Sequence, residues 1–266
     1  MIVDKINAYL SGQGKTIDEA ILSEVGELAK WAFSRQFGER QERNGDLRLS
    51  SIGRCPRQQA YKLLGFEENG KEIDARSRMV FLQGDFVELA VVGLIKAVGI
   101  KVEGTGANQK DVEIDGVRGH PDGIVTIEGN AYLLEVKSMS SFSFKDFEAG
   151  VLDDGYRYQV NAYLEALGLS KAIVIALNKD AGVLSEMVVS RDDIIVTDIK
   201  QRIKDIRSAT KEDLPYKPYA PNEKGWLPWQ CLYCGFHGTC WPDAQKILVS
   251  GRYKLAIQPT KEEIKK

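Results

Sequence analysis

His120 and Asp122 stand two residues apart in Gly119-His120-Pro121-Asp122-Gly123. Glu135 and Lys137 stand two apart in Leu134-Glu135-Val136-Lys137-Ser138. On an extended strand, residues two apart share a face. A tight-turn signal at Gly129-Asn130 lies between the two stretches and lets both pairs converge. Two carboxylates and an imidazole make a donor set suited to Mg2+ or Mn2+. Such a metal lowers the pKa of a bound water, and a neighbouring lysine orients that water and offsets charge on a phosphate. That is the chemistry of metal-assisted phosphodiester hydrolysis. Singly, each residue has an ordinary reading: Asp122 and Glu135 as turn and edge-strand residues, Lys137 as a solvated strand lysine, His120 as a structural histidine. All four in this order, between apolar flanks, favour the metal site.

A second set is formed by Cys55, Cys231, Cys234 and Cys240, the last three in a Cys-x2-Cys-x5-Cys run. The N-terminal stretch MIVDKINAYLSGQGKT carries no basic n-region followed by an apolar h-region. A reducing cytoplasm is therefore expected, and a disulfide framework is not. Four thiolates suit either zinc or an iron–sulfur cluster. A zinc ribbon normally shows two Cys-x-x-Cys knuckles, and this chain has one. His237 lies within the run and is read as a bystander.

These residues need elements to position them. Residues 1–45 read as helical, with Ile21, Leu22, Val25, Leu28, Ala29 and Ala32 at i+3/i+4 spacing. Residues 50–64 read as a helix capped by Ser50 or Ser51, with Pro56 in its first turn. Residues 76–98 form another, with Leu82, Phe86, Leu89 and Val92 on one face. The period then changes to two. Residues 110–127 and 131–137 alternate as a β-meander with a turn at Asp115-Gly116. A helix over 156–168, strands Lys171–Leu177 and Val183–Val189, and a helix over 192–209 (Ile195, Ile199, Ile203, Ile206) follow. Residues 214–230, rich in Pro and Trp, read as an extended connector before the cysteine run and a lysine-bearing tail. The order gives a mixed α/β core with a helical module before it and a cysteine module after it.

Composition sets outer bounds. The chain has 266 residues, of which 43% are hydrophobic and 28% charged, with 36 Lys+Arg against 38 Asp+Glu. That excludes a disordered chain. No apolar run approaches the ~18 residues of a membrane span. The net charge of -2 excludes a globally basic coat but not a local patch. Residues 30–62 hold Lys30, Arg35, Arg40, Arg43, Arg48, Arg54, Arg57 and Lys62 against Glu39, Glu42 and Asp46. On charge alone a solvated surface and a phosphate-binding face are equally good readings. Gly14-Lys15-Thr16 imitates a P-loop, but Tyr9 stands where its first Gly belongs and no strand precedes it, so no nucleotide cofactor is expected.

His-Pro-Asp followed by Glu-x-Lys resembles the PD-(D/E)XK nuclease superfamily, whose restriction-endonuclease-like core is a central mixed sheet flanked by helices. Tyr156-Arg157-Tyr158-Gln159-Val160-Asn161-Ala162-Tyr163 resembles the Gln-x-x-x-Tyr element of its RecB-like exonuclease branch. Gly84-Asp85-Phe86-Val87-Glu88 resembles that branch's first-helix motif. Ser51-Ile52-Gly53-Arg54-Cys55-Pro56-Arg57 and Cys231 through Pro242 are similar to the leading and closing motifs of its iron–sulfur members, the CRISPR-associated Cas-four and AddB-type nucleases. The resemblance covers roughly residues 50–242. It implies an Mg2+- or Mn2+-dependent exonuclease acting mainly on single-stranded DNA. His120, Asp122, Glu135 and the Val136 carbonyl would be metal ligands, Glu88 would assist, and Lys137 would orient the water. Gln159 and Tyr163, one helical turn apart, would position the strand with Arg54, Arg57 and Arg157. Outside the resemblance, the charge of Arg35, Arg40, Arg43 and Arg48 suits guiding single-stranded DNA. The resemblance further implies a structural 4Fe–4S cluster on Cys55, Cys231, Cys234 and Cys240, with zinc as the lesser alternative. Its organisation would be a helical module over 1–75, a nuclease core over 76–212 and a cysteine module over 213–266. Partners would be DNA, with a separate helicase or CRISPR-adaptation proteins. A spacer-processing nuclease and a non-catalytic iron–sulfur DNA-binding protein are the rival expectations.

Overall fold

The computed structural model describes residues 1–12, 16–38, 46–68 and 75–257. Gly14, Lys15, Arg40 and Arg43 lie outside the described residues. The helices are α1 (Ile2–Ser11), α2 (Glu19–Phe37), α3 (Pro56–Leu63), α4 (Ala75–Ala97), α5 (Ser141–Glu148), α6 (Asp154–Leu167), α7 (Asp193–Ser208), α8 (Trp229–Leu232) and α9 (His237–Cys240). The strands are β1 (Lys101–Glu103), β2 (Val112–Ile114), β3 (Val117–Gly119), β4 (Gly123–Ile127), β5 (Asn130–Met139), β6 (Lys171–Asn178), β7 (Val183–Ser190), β8 (Trp226–Leu227), β9 (Ala244–Val249) and β10 (Arg252–Ile257). Among the described residues no helix is long and apolar enough to cross a membrane.

The chain divides into two compact units. One comprises the described residues of Met1–Arg43, Arg48–Gly53 and Asp74–Gln201; the other those of Asn44–Leu47, Arg54–Ile73 and Arg202–Lys266. Helices α1 and α2 thus belong with the central sheet, and the Cys55 helix belongs with the C-terminal residues.

The first unit is a mixed sheet of order β1-β4-β5-β6-β7 flanked by helices. β5 pairs antiparallel with β4 and parallel with β6. The parallel pair needs a crossover, which α5 and α6 supply. Parallel strands with both faces covered read as continuous apolar runs, and β6 does so through Ala172, Ile173, Val174, Ile175 and Ala176, all buried. On one face Leu134, Val136, Ile173 and Ile175 pack with Val87, Val91, Val92 and Ile95 of α4.

Several expected elements differ in extent. The first 45 residues are not one helical block: residues 16–18 are non-helical, and Asp18 caps α2 by accepting from the Ala20 N–H. The helix expected from residue 50 starts at Pro56 with Cys55 as its N-cap, because Leu49–Ser51 close into a 3-10 turn first. The single meander is two sheets: β2 and β3 form a two-stranded sheet, with Arg118 of β3 also bridging Arg48, and β4 leaves to join β5. On α4, Phe86 turns outward at 36% exposed and Asp85 inward at 6%. The tail after the cysteines folds as β9 and β10, with β8 from the expected connector as their third strand.

Candidate active site

The β4–β5 hairpin sets the site. Its two-residue loop is Glu128-Gly129, both at positive φ, and the register runs from Ile127↔Asn130 to Gly123↔Leu134. Two central residues at positive φ match the twist of the flanking strands, and Gly tolerates that conformation without a Cβ penalty. The ladder stops at Gly123, so the Val136 N–H is free to donate to Asp122 Oδ2 at 2.8 Å. A strand residue's N–H and C=O lie on the same edge, so the Val136 carbonyl shares that edge with Asp122.

Glu135 and Lys137 project together from the other side of the ladder, as their spacing requires. Lys137 Nζ donates to Glu135 Oε1 at 2.5 Å. Gln159 of α6 clasps both: its Nε2 donates to Glu135 Oε1 at 2.8 Å, and its Oε1 accepts from Lys137 Nζ at 3.4 Å. α6 is placed for this by Asp153, which caps its start by accepting from the Gly155 N–H, and by Gly168, which ends it at φ 66°. Tyr163, one turn beyond Gln159, is 1% exposed. Its hydroxyl accepts hydrogen bonds from the Gln159 side chain and the His120 backbone N–H. As placed, Tyr163 braces Gln159 from within the core and presents no ring to solvent. The Tyr156 ring lies 4.7 Å from Lys137 Nζ.

The electrostatics are those of carboxylates crowded out of water. Burial, then the Asp122 carboxylate, pushes Glu135 up to about 7 against the pull of Lys137. Burial, with Asp122 and Glu135 adding to it, pushes Glu88 up to about 9, partly offset by Arg35. Asp122 is raised by burial, against the Lys137 charge and the Val136 N–H. Burial alone would lower Lys137, but Glu135 and Asp122 outweigh it and hold the ammonium above its ordinary value.

His120 is not where its spacing placed it. β3 ends at Gly119 and β4 starts at Gly123, so His120 and Asp122 sit in a loop, not on a strand. The loop frees the two side chains from a common face, and His120 Nε2 pairs with Asp111 Oδ1 at 2.7 Å. The expectation that imidazole and carboxylate project together is corrected accordingly. Among the arginines, Arg157 is half-exposed and 3.9 Å from Asp154, and Arg54 is exposed. Arg57 donates to the Pro215 and Leu214 carbonyls at 2.6 and 3.3 Å. The basic stretch is largely engaged: Lys30 pairs with Glu27 and Lys62 with Glu68. Arg35 is drawn inward to Asp85 at 3.3 Å.

Asp85 escaped the sequence reading. It is buried, accepts from Gln36 Nε2 at 2.6 Å, and adds to the charge that raises Glu88 and Asp122. The signal was present: an acidic residue three positions after Leu82, on the apolar face of α4. Gln109, which donates to Glu88 Oε1 at 3.2 Å, carried no such signal.

The four cysteines all fall in the second unit, and none is in a disulfide. Burial, then the neighbouring Cys55, Cys234 and Cys240, pushes the Cys231 thiol up to about 11. The His237 ring bonds the Cys234 carbonyl at 2.9 Å.

Among the described residues, no group of three or more His, Cys, Asp or Glu side chains is gathered to hold a metal ion. Glu88, Asp122 and Glu135 form an open set: Asp122 adds to the shifts of Glu88 and Glu135, and Glu135 to that of Glu88, without the three converging on a point. That set still fits a hard divalent cation. Glu135 Oε2 is a buried acceptor with no hydrogen-bond partner. Among the described residues, Lys137 and Arg35 are the positive charges that offset these crowded carboxylates, and oxygen donors are what Mg2+ and Mn2+ take.

No family model matches the chain, and no curated protein matches it. Among solved structures it is similar to the protein SSO0001, with a TM-score of 0.49 and 18% identity over 83% of this chain and 96% of that one. It is similar to the alkaline exonuclease LHK-Exo from Laribacter hongkongensis, with a TM-score of 0.46 and 17% identity over 67% and 90%. It is also similar to a phage-related exonuclease from Haemophilus somnus 129PT, with a TM-score of 0.38 and 12% identity over 60% and 90%. None of these reaches a TM-score of 0.5, so function is taken from the site's own geometry.

Proposed function

We propose that this chain is a metal-dependent deoxyribonuclease with a restriction-endonuclease-like core, acting as an exonuclease mainly on single-stranded DNA. The observation that carries the reading is the clasp of Glu135, Lys137 and Gln159 beside Asp122. A buried, partnerless carboxylate oxygen is costly to keep. It persists where its charge has a use.

Asp122, Glu135 and the Val136 carbonyl would hold Mg2+ or Mn2+, with Glu88 in support. His120, turned to Asp111, is left at the margin of that set. A bound divalent cation supplies a water of lowered pKa and offsets charge on the phosphate. Lys137 stays protonated here, so it acts as a donor and not as the base. It orients the attacking water and faces the charge that develops on the phosphate. The new bond joins the water oxygen to phosphorus and the ester P–O bond opposite it breaks; the attacking water gives up its proton to solvent, and the leaving oxygen takes a proton from solvent. Gln159 fixes Glu135 and Lys137 relative to each other, and Tyr163 fixes Gln159.

Cys55, Cys231, Cys234 and Cys240 we assign to a structural 4Fe–4S cluster, with zinc as the lesser occupant. Burial, with the neighbouring cysteines adding to it, raises the thiols of Cys55, Cys231 and Cys234, so a cation is needed before they ionise together, which supports the assignment. Iron and zinc analysis of anaerobically purified protein tests it.

The test of the nuclease is end-labelled single-stranded DNA with Mn2+ or with chelator. Cleavage is expected only with metal. Glu135→Ala and Lys137→Ala should each lower it by ~10²–10³-fold while leaving the circular dichroism spectrum intact. Folded variants that cleave at the parent rate would remove these residues from the reaction.

A further inference from the structure

The small sheet after the cysteines carries rings on its surface where an ordinary sheet would bury them. β8 is two residues long and covers only Leu255 and Ala256 of β10, so Arg252–Lys254 have no ladder partner on that edge among the described residues. Beside the gap lies a cleft of about 290 Å3 lined by Trp226, Trp229, Tyr253 and Lys254. Trp229 is 63% exposed and Tyr253 56%. The ammonium of Lys254 stands 5.2 Å over the Trp226 ring, and that of Lys246 4.9 Å over the Tyr253 ring. Residues 244–257 hold Lys246, Arg252 and Lys254 and no carboxylate.

Exposed rings alone would suit any apolar partner. Rings with ammonium groups set over them, the lysines drawn from a stretch free of acidic residues, suit a ligand that offers flat π-faces and repeated negative charge. We propose that α8 and the sheet of β8, β10 and β9 form a binding platform for single-stranded DNA. Bases stack on Trp229 and Tyr253, and Lys246 and Lys254 meet the phosphates. The platform lies wholly within the second unit and takes from the nuclease reading only the identity of the polymer.

The experiment uses the full chain with chelator and no divalent cation, so that nothing is hydrolysed. Fluorescein-labelled oligo(dT) is titrated by anisotropy, and unlabelled oligo(dT) by tryptophan fluorescence. Saturable binding with quenching is expected. Trp229→Ala and Tyr253→Ala should each weaken it about tenfold, which is about 1.4 kcal/mol, with an unchanged melting temperature. Lys254→Gln should flatten the salt dependence by roughly 0.7 in log–log slope. Trp31→Phe, in the other unit, should leave the quenching in place. Binding that is unchanged in both ring variants, or that proceeds without quenching, would overturn the platform. Cleavage with Mn2+ is measured on the same preparations. Ring-dependent binding without cleavage keeps the platform and removes the nuclease, and cleavage with ring-independent binding does the reverse.

Discussion

Glu88 and Glu135 hold protons that ordinary carboxyls release. Glu88 lies at about 9 and Glu135 at about 7 in the metal-free fold, against ordinary values of 4.5. The folded chain therefore binds protons that the unfolded chain has lost. Stability from this source is full below the ordinary value and is lost as pH rises through 7 toward 9. A divalent cation in the same place competes with those protons. Its stabilising effect should therefore grow as pH rises, because fewer protons must be displaced and more charge must be compensated. The rise in melting temperature with saturating Mn2+ should be clearly larger at about pH 8.5 than at about pH 6. Glu88→Gln should shrink that difference. An Mn2+ effect equal at both pH values would place the cation elsewhere.

At the level of elements, the site depends on β3 running close under α6. A Cβ built on Gly119 would lie 2.6 Å from Tyr163 Cε1 and 2.9 Å from Leu49 Cβ. Both neighbours are buried and cannot swing away. Gly119→Ala should therefore cost about 1–3 kcal/mol as overpacking, read by denaturant melting. It should also lower cleavage, because moving the Tyr163 ring moves Gln159. A variant of parental stability and activity would show that α6 is not held there. The glycine in Gly-His-Pro-Asp was visible in the sequence, but its tight neighbour was not, since Leu49 and Tyr163 are distant in the chain. What was legible shares one property: it is local. The two-residue period gave Glu135 and Lys137 a common face, the four-residue period gave Gln159 and Tyr163 one, and Asp115-Gly116 gave the β2–β3 turn. What failed depended on where strands end. His120 was expected on a strand, and the break at 120–122 sent it to Asp111. The β4–β5 loop falls at Glu128-Gly129, one residue before the expected Gly129-Asn130, and the β9–β10 hairpin turns at Ser250-Gly251, both at positive φ, a weaker signal than the Asp-Gly pair of β2–β3.

The two units of the whole molecule have unequal means of staying folded. The first buries both faces of the central strands β5 and β6 of its five-stranded sheet. The second relies on a smaller set, with Leu227, Cys231 and Leu255 as one cluster and Tyr61 against Phe236 at 5.3 Å as another contact. Small cores of this kind usually need a staple. Cys55 at the head of α3 and Cys231, Cys234 and Cys240 near the chain's end are the residues able to supply one. The staple and a merely packed thiol differ in a measurable way. Cys231 is 8% exposed, so Cys231→Ala in the chelated protein removes one buried sulfur and should cost about 1 kcal/mol. If the proposed cluster is present, the same substitution in the loaded parent would also remove a ligand, and with it the binding free energy that favours the folded unit over the unfolded one. The loss relative to the loaded parent should then be several-fold larger. Limited proteolysis should first cut within residues 202–257 and leave the sheet unit intact. Equal losses with and without metal would make Cys231 a packing residue and leave the second unit to its own core.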